Sequence, residues 1–305
     1  MTNKNPILVT GIIRSGTTWV GRVLATCEDT IYIHEPMNPQ SPWNSCFPTP
    51  VIHYHLNEKN GGPYKNLFTR LIKLDPVLRG EWKNTIAENR KKYIYNNTKK
   101  FKNPQTIIKD PTALYSANWI NNYSKNKVVF VLRHPISIIK SLLKLDWAKN
   151  LNFESIKNQV MLMDYFYSNL SEKDNQIINS NWNNFSDVEK AVFSVRFLYL
   201  AVCKYYTENN EYIYISYENF SNNPYDNFLN LFEKLELKPS NKTINDLQST
   251  TTYNTAKKHQ NTSIPIKPDI DKIFNSEYGL TDPKEIFHNH FLDIYDTLKN
   301  VVSWE

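Results

Sequence analysis

The sequence is poor in cysteine and lacks any long apolar run. Its three cysteines are Cys27, Cys46 and Cys203. They are far apart and show none of the close spacing of a metal site, so they predict reduced thiols and argue against a disulfide-stapled fold. The longest apolar stretch, residues 191–206, is interrupted by Arg196 and Lys204. It is too short and too polar to span a bilayer.

The sequence also has no strong excess of one charge. Lysine and arginine outnumber aspartate and glutamate by 36 to 30, which gives a net charge of +6. This mild excess suits an anionic ligand but is too diffuse to indicate nucleic acid, and no arginine-rich stripe or zinc-finger spacing accompanies it. The N-terminus, MTNKNPILVTG, has no apolar segment typical of a signal peptide. We therefore expect a cytoplasmic protein with no membrane span and no nucleic-acid partner.

Apolar runs alternate with helical patterns along the chain. Five of these runs predict buried strands, at residues 6–10, 31–36, 106–111, 127–135 and 211–220. Helical spacing follows the first run from Thr17, and Ser186 with Glu189 forms a capping box before a predicted helix over 187–206. This alternation predicts an α/β fold in which helices flank a parallel sheet, in one domain over residues 1–305.

A glycine-rich loop follows the first predicted strand. The stretch VTGIIRSGTTW, residues 9–19, nearly matches the phosphate loop G-x-x-x-x-G-K-[ST], but Thr17 replaces the lysine and Arg14 lies inside the loop. Such a loop directs backbone N–H groups at an anion, and the helix N-terminus adds partial positive charge. Without the lysine it suits a triphosphate with Mg²⁺ poorly, whereas the fork of Arg14 suits one compact phosphate. The alternative is an ordinary glycine-containing turn.

Two later stretches fit the same kind of ligand. In VFVLRHPISIIKSLL, Arg133 ends a predicted strand and Ser141 lies about two turns into the next helix. Both can face the mouth of the sheet, where α/β proteins bind ligands. In YISYENFSNNP, Tyr217 and Glu218 end another predicted strand, and Pro224 follows.

Together, these stretches resemble the sulfotransferase family, which uses 3′-phosphoadenosine 5′-phosphosulfate (PAPS) as donor. Residues 14–19 resemble its 5′-phosphosulfate loop [KR]-S-G-T-T-W, residues 133–141 its 3′-phosphate motif R-x-P-x-x-x-x-x-S, and residues 217–219 its Tyr-Glu-Asp-type stretch. They occur in the family's order and span residues 7–224. The resemblance implies a P-loop-like sulfotransferase fold and transfer of a sulfuryl group to a hydroxyl (EC 2.8.2 type), with 3′-phosphoadenosine 5′-phosphate (PAP) as product and no metal.

The resemblance also implies roles for individual residues. The residues implied to bind the 5′-phosphate are Arg14, Ser15, Gly16, Thr17 and Thr18. Arg133 and Ser141 match the pair that binds the 3′-phosphate, and Tyr217 matches a nucleotide contact. Trp19 matches a residue that stacks on adenine, with core packing at the start of a helix as an equal alternative. Arg14 is further expected to stabilise charge on the bridging oxygen.

A general base is needed to remove the proton of the acceptor hydroxyl. Phenol and steroid sulfotransferases carry a histidine in a Lys-Thr-His-type stretch, but residues 109–115 read KDPTALY here. Glycan sulfotransferases carry a Glu-Pro and a Lys-Ser-Pro-type turn, which IHEPMNP and KDP resemble at Glu35 and Lys109. We therefore expect Glu35 as base, Lys109 as a cation near sulfate and acceptor, and a saccharide or glycan precursor as acceptor, as in the carbohydrate branch.

Several alternatives stay open at this point. His34 is the second candidate for the base, since adjacent residues of a strand point to opposite faces and only one of His34 and Glu35 is expected to face the site. Asp110 is either a third candidate or a cap for the following turn. Residues 37–103 are interpreted as an acceptor-binding or lid elaboration, with predicted helices near 64–74 and 82–95. Its basic cluster, residues 90–102, is interpreted as a solvated face.

A polar stretch at residues 253–263 contains Lys257, Lys258 and His259. By resemblance it closes over the 3′-phosphate, and the alternative is a plain surface loop. Two other functions compete with sulfuryl transfer: a P-loop small-molecule kinase, and a non-catalytic protein that binds a 3′-phosphonucleotide.

Overall fold

The computed structural model describes residues 4–41, 47–73, 104–147, 156–159, 170–253, 280 and 282–304. Several predictions concern residues outside these ranges. They are the helix near 82–95, the basic cluster at 90–102, and the loop residues Lys257, Lys258 and His259. Cys46 also lies outside the described residues.

Within the described residues, five parallel strands form one sheet, as the sequence predicts. The strands are β1 (Ile7–Gly11), β2 (Thr30–His34), β3 (Gln105–Lys109), β4 (Lys127–Leu132) and β5 (Ile213–Ser216). Their order in the sheet is β2-β3-β1-β4-β5, and each neighbouring pair is parallel. Because β1 is central and flanked by β3 and β4, the segments that follow these three strands meet at one edge of the sheet.

Helices alternate with the strands. They are α1 (Thr17–Leu24), α2 (Gly62–Ile72), α3 (Ala117–Ser124), α4 (Pro135–Lys144), α5 (Glu172–Asn179), α6 (Asp187–Glu208), α7 (Tyr217–Asn222), α8 (Pro224–Leu235), α9 (Asn241–Tyr253) and α10 (Pro283–Leu298). Short 3-10 helices span Pro111–Ser116 and Trp182–Asn184. Within the described part of the chain, no helix is long and apolar enough to cross a membrane.

Local signals explain two helix starts. The predicted capping box is present, since the Ser186 hydroxyl accepts from the N–H of Glu189 and the Glu189 carboxylate accepts from the N–H of Ser186. The prediction that residues 211–220 form a strand is wrong beyond Ser216. The Ser216 hydroxyl accepts from the N–H of Asn219 and caps α7, so Tyr217 and Glu218 begin a helix rather than end a strand.

The sheet is buried on both faces. In β4, Phe130 packs into one apolar cluster with α4, α6 and α10. The neighbouring Val129 and Val131 pack into a second cluster with α1, α7 and α8. Strands covered on both faces have no polar side, which is why they occur in the sequence as continuous apolar runs.

A buried arginine ties three of the outer helices together. Arg196 of α6 is 4 % exposed and donates to both carboxylate oxygens of Asp174 in α5, at 2.6 and 2.8 Å. It also donates to both oxygens of Asp293 in α10, each at 2.9 Å. Burial opposes its charge, but the two aspartates outweigh burial and raise the pKa of Arg196. The positive charge of Arg196 is therefore balanced by carboxylates of the protein itself.

The end of β1 leaves no room for a side chain. Gly11 has φ 141°, and a Cβ there would lie 2.3 Å from the carbonyl oxygen of Val131. We expect Gly11→Ala to lower the free energy of unfolding by about 1–3 kcal/mol, measured by denaturant titration. Gly62→Ala is the control, since a Cβ there meets no atom within 4 Å. Equal stabilities of the two variants would contradict the close approach of β1 and β4.

Candidate active site

The glycine-rich loop connects β1 to α1 through left-handed backbone. Arg14 has φ 67° and Gly16 has φ 101°, and the N–H of Ser15 donates to the carbonyl of Ile12 at 3.1 Å. A Cβ at Gly16 would lie 2.5 Å from Cδ2 of Tyr217. Glycine at position 16 is therefore required both by the backbone and by the approach of Tyr217.

The loop presents several donors without internal partners. Because α1 begins at Thr17, the N–H groups of Thr17 and Thr18 have no acceptor within the helix. The side chain of Ser15 is fully buried, and its hydroxyl has no hydrogen-bond partner among the described residues. A buried donor without a partner is costly, so this loop suits a ligand that offers acceptor oxygens.

Arg14 brings two distant motifs to the loop. Its Nε donates to the hydroxyl of Ser141 in α4 at 2.9 Å. Its carbonyl oxygen accepts from Nη1 of Arg133, which follows β4, at 3.1 Å. The structure thus places Arg14, Arg133 and Ser141 together.

Arg133 is held from two sides. Its guanidinium carbon lies 4.6 Å from the ring centroid of Tyr217, a cation–π distance. Its backbone N–H donates to the hydroxyl of Tyr199 at 3.2 Å, and the same hydroxyl donates to its carbonyl oxygen. The next N–H, that of His134, donates to the buried carboxylate of Glu218 at 2.9 Å. The start of α7 therefore fixes the turn that carries Arg133.

The two arginines at the loop form no direct ion pair with a carboxylate of the described residues. Unlike Arg196, neither Arg14 nor Arg133 forms an ion pair with a described carboxylate. Arg14 is an exposed residue, but partial burial of its guanidinium and the nearby charge of Arg133 lower its pKa. Two neighbouring guanidinium groups with no anion of their own favour the binding of an anionic ligand.

Trp19 packs into the core beneath the loop. Its residue exposure is 6 %, and its ring meets those of Tyr217 and Phe228 edge-on, at centroid distances of 5.8 and 5.2 Å. This is the core position that the sequence left as an alternative. Stacking of Trp19 on adenine stays a prediction and would have to use the small exposed part of the ring.

The predicted base and its predicted cation form a partly buried pair. The ammonium group of Lys109, whose side chain is 3 % exposed, donates to Oε1 of Glu35. Oε2 of Glu35 accepts from the side-chain amide of Asn38 at 2.8 Å. Burial raises the pKa of Glu35, but the charge of Lys109 and the hydrogen bonds from Lys109 and Asn38 outweigh it and hold the pKa below its ordinary value.

The two alternative bases lie in different surroundings. Nε2 of His34 is 3.8 Å from Oε1 of Glu35, because Glu35 has left-handed backbone (φ 51°) and leaves the strand alternation. Asp110 is fully buried and accepts from the N–H of Met37 at 2.7 Å and from the N–H of Thr112 at 2.9 Å. Burial raises the pKa of Asp110 to about 6. Asp110 therefore caps the 3-10 helix, as its alternative expected, whereas His34 stays near the site.

Sequence reasoning missed two residues of the site. Trp147 is 45 % exposed, and its ring centroid lies 5.3 Å from the guanidinium carbon of Arg14. Asn38 reaches Glu35 because the chain turns sharply after β2. The position of an aromatic residue soon after the helix of Ser141 is a weak sequence signal for Trp147. No sequence pattern points to Asn38.

The chain has distant structural likenesses to known proteins. No protein-family model matches the sequence. No curated protein matches it. The chain is similar to the sulfotransferase domain from the curacin biosynthetic pathway (13 % identity, 98 % of this chain and 92 % of that chain, TM-score 0.42). It is also similar to the sulfotransferase STF9 from Mycobacterium avium (12 % identity, 97 % of this chain and 78 % of that chain, TM-score 0.45). These values do not establish a shared family, so function has to be inferred from the site itself.

The pKa of Glu35 should depend on Lys109. In Lys109→Met the buried stem stays but the cation is lost, so burial is opposed only by the hydrogen bond from Asn38 and the charge of His34, and the Glu35 pKa should rise from its lowered value. ¹³C NMR titration of glutamate carboxyl groups measures this. In the wild type, the lowered pKa stabilises the fold above the unfolded-state pKa, and this stabilisation is lost as pH falls through the folded pKa. In the variant this stabilisation should be smaller, because the Glu35 pKa lies closer to its unfolded value.

Lys127→Met is the matched control for this titration. Lys127 pairs with the exposed Glu236 at 2.8 Å, so its loss should leave the Glu35 pKa unchanged. A Glu35 pKa that is the same in Lys109→Met as in the wild type would contradict the role given to this ion pair.

Proposed function

We propose that the protein is a PAPS-dependent sulfotransferase that transfers a sulfuryl group to a hydroxyl of a saccharide or glycan precursor. The observation that carries this proposal is the meeting of Arg14, Arg133 and Ser141 at the glycine-rich loop. PAPS bears two separate phosphate groups and no triphosphate. Two neighbouring guanidinium groups without carboxylate partners suit such a ligand better than one lysine with Mg²⁺ does.

The residues present fit the two ends of the donor. The N–H groups at the start of α1 and the buried hydroxyl of Ser15 would bind the 5′-phosphate, with Arg14 beside its bridging oxygen. Arg133 and Ser141 would bind the 3′-phosphate, since both already lie against Arg14. Tyr217 supports this end by holding the guanidinium of Arg133. This division explains why Thr17 can replace the lysine of a nucleotide-triphosphate loop.

The proposed reaction uses one base, Glu35, and two cations, Arg14 and Lys109. The acceptor oxygen forms a bond to sulfur, and the bond between sulfur and the bridging oxygen breaks. Its electron pair stays on the 5′-phosphate of PAP, where Arg14 stabilises the growing charge. Glu35 takes the proton of the acceptor hydroxyl, and Lys109 stabilises charge on the sulfuryl oxygens.

Pairing with Lys109 poses a problem that substrate binding can solve. A carboxylate whose pKa is lowered by a neighbouring cation is a weak base. If Lys109 turns from Glu35 towards the sulfuryl group, burial raises the pKa of Glu35 and makes it a stronger base. We infer that Glu35 becomes basic only when the donor is bound, with His34 as the alternative proton acceptor at 3.8 Å.

The acceptor is proposed to lie between Glu35 and the exposed ring of Trp147. Trp147 offers an apolar face beside Arg14, while Glu35 and Asn38 offer polar atoms. An aromatic face combined with carboxylate and amide groups suits a sugar ring, whose C–H bonds form one face and whose hydroxyls lie at its rim. We propose that residues 37–103 shape this pocket and that the acceptor is met in the cytoplasm.

Removal of the Arg133 side chain should weaken the binding of a nucleotide with a 3′-phosphate more than the binding of the same nucleotide without it. In Arg133→Ala, PAP should bind about 10- to 100-fold more weakly, because a charged hydrogen bond is lost, while adenosine 5′-phosphate should change by less than about threefold. Isothermal titration calorimetry with both nucleotides measures this. Arg22→Ala, in the exposed last turn of α1, should leave both affinities unchanged. Equal weakening of the two nucleotides in Arg133→Ala would remove Arg133 from the 3′-phosphate site.

A further inference from the structure

A second group of unsatisfied polar atoms lies away from the loop. His53 and Tyr115 each have an exposed fraction of 0 %. Among the described residues, neither ring nitrogen of His53 and not the hydroxyl of Tyr115 has a hydrogen-bond partner. The two rings are in contact, with centroids 5.9 Å apart and planes at 60°. Three buried polar atoms without partners on two touching side chains require a common explanation.

The surrounding backbone is fixed rather than loose. Nδ1 of His55 donates to the carbonyl of Tyr115 at 2.6 Å, and the Tyr205 hydroxyl donates to the same carbonyl at 3.1 Å. The N–H of Leu56 donates to the hydroxyl of Ser116 at 2.9 Å. The segment around His53 is therefore bonded to the 3-10 helix, so the two side chains cannot simply turn out to solvent.

His53 also has left-handed backbone, with φ 56°. This conformation is uncommon for a residue with a side chain, and its strain points to a constraint at this position. Burial lowers the pKa of His53 to about 4, so at neutral pH the imidazole is uncharged and offers one donor and one acceptor. Such a group needs a neutral partner of matching chemistry, not an ion.

We propose that His53 and Tyr115 bind a shared internal water molecule. Complete burial of both side chains restricts the ligand to a very small one, and a single water can bond the Tyr115 hydroxyl and one nitrogen of the His53 ring. His53 lies in the segment that follows Glu35, and Tyr115 lies in the 3-10 helix that follows Lys109. The bound water thereby joins the chain segments that follow the two members of the Glu35–Lys109 ion pair.

The direction in which Tyr115→Phe shifts the midpoint of thermal denaturation tests this site. Tyr115→Phe removes only the hydroxyl. If water is bonded to it, thermal denaturation should show a midpoint lower by about 1–4 °C, because a buried hydrogen bond is lost. If the hydroxyl has no partner, its removal relieves a buried polar atom, and the midpoint should stay the same or rise. An unchanged or raised midpoint would overturn the proposal.

Two further variants complete the experiment. Tyr205→Phe is the matched control, because this buried hydroxyl has a known acceptor and its loss should lower the midpoint. His53→Phe tests whether the water is shared, since the effect of Tyr115→Phe should largely vanish in the double variant. Equal effects of Tyr115→Phe with and without His53 would contradict a shared water. If His53→Phe does not fold, the direction of the midpoint change in Tyr115→Phe alone still decides whether water is bound.

Discussion

The two arginines without a direct carboxylate partner at the end of β1 are the constraint on which the rest of the site depends. Arg14 and Arg133 touch through one hydrogen bond, and neither has a carboxylate partner among the described residues, whereas Arg196 has two. Two positive side chains held near each other favour the binding of an anion, and the loop adds N–H groups and a buried hydroxyl at the same place. The cap at Ser216 and the ring of Tyr217 make sense as supports for this arrangement.

The sheet order determines how charge is distributed around the reaction. β1 carries the arginine loop, and its neighbour β3 ends at Lys109, which meets Glu35 from the edge strand β2. The base and its cation therefore lie on one side of the loop, and Ser141 and Trp147 lie on the other. In the proposed reaction, the Glu35–Lys109 pair keeps the carboxylate ionised in the free protein and releases it as a base when Lys109 is drawn to the sulfuryl group.

Much of this arrangement could be predicted from the sequence, for physical reasons. The strands are continuous apolar runs because both faces of the sheet are covered, and the capping box at Ser186 is a local signal. Local signals miss features that depend on distant contacts. The left-handed backbone of Glu35 brings His34 to the same side, and Trp147 meets Arg14 only in the folded chain. Likewise, the sequence cannot predict that the ring nitrogens of His53 lack partners, because this depends on burial in the folded chain.

Transfer of radiolabelled sulfate tests the central claim most directly. The protein would be incubated with ³⁵S-labelled PAPS and a panel of saccharides, phenols and lipid alcohols, and both labelled product and PAP would be measured with and without Mg²⁺. We expect label on a saccharide hydroxyl, one PAP per transfer and no need for Mg²⁺, with turnover largely lost in Glu35→Gln but kept in Glu236→Gln. The account would be contradicted by transfer that requires ATP and Mg²⁺, or by tight PAP binding without transfer to any acceptor.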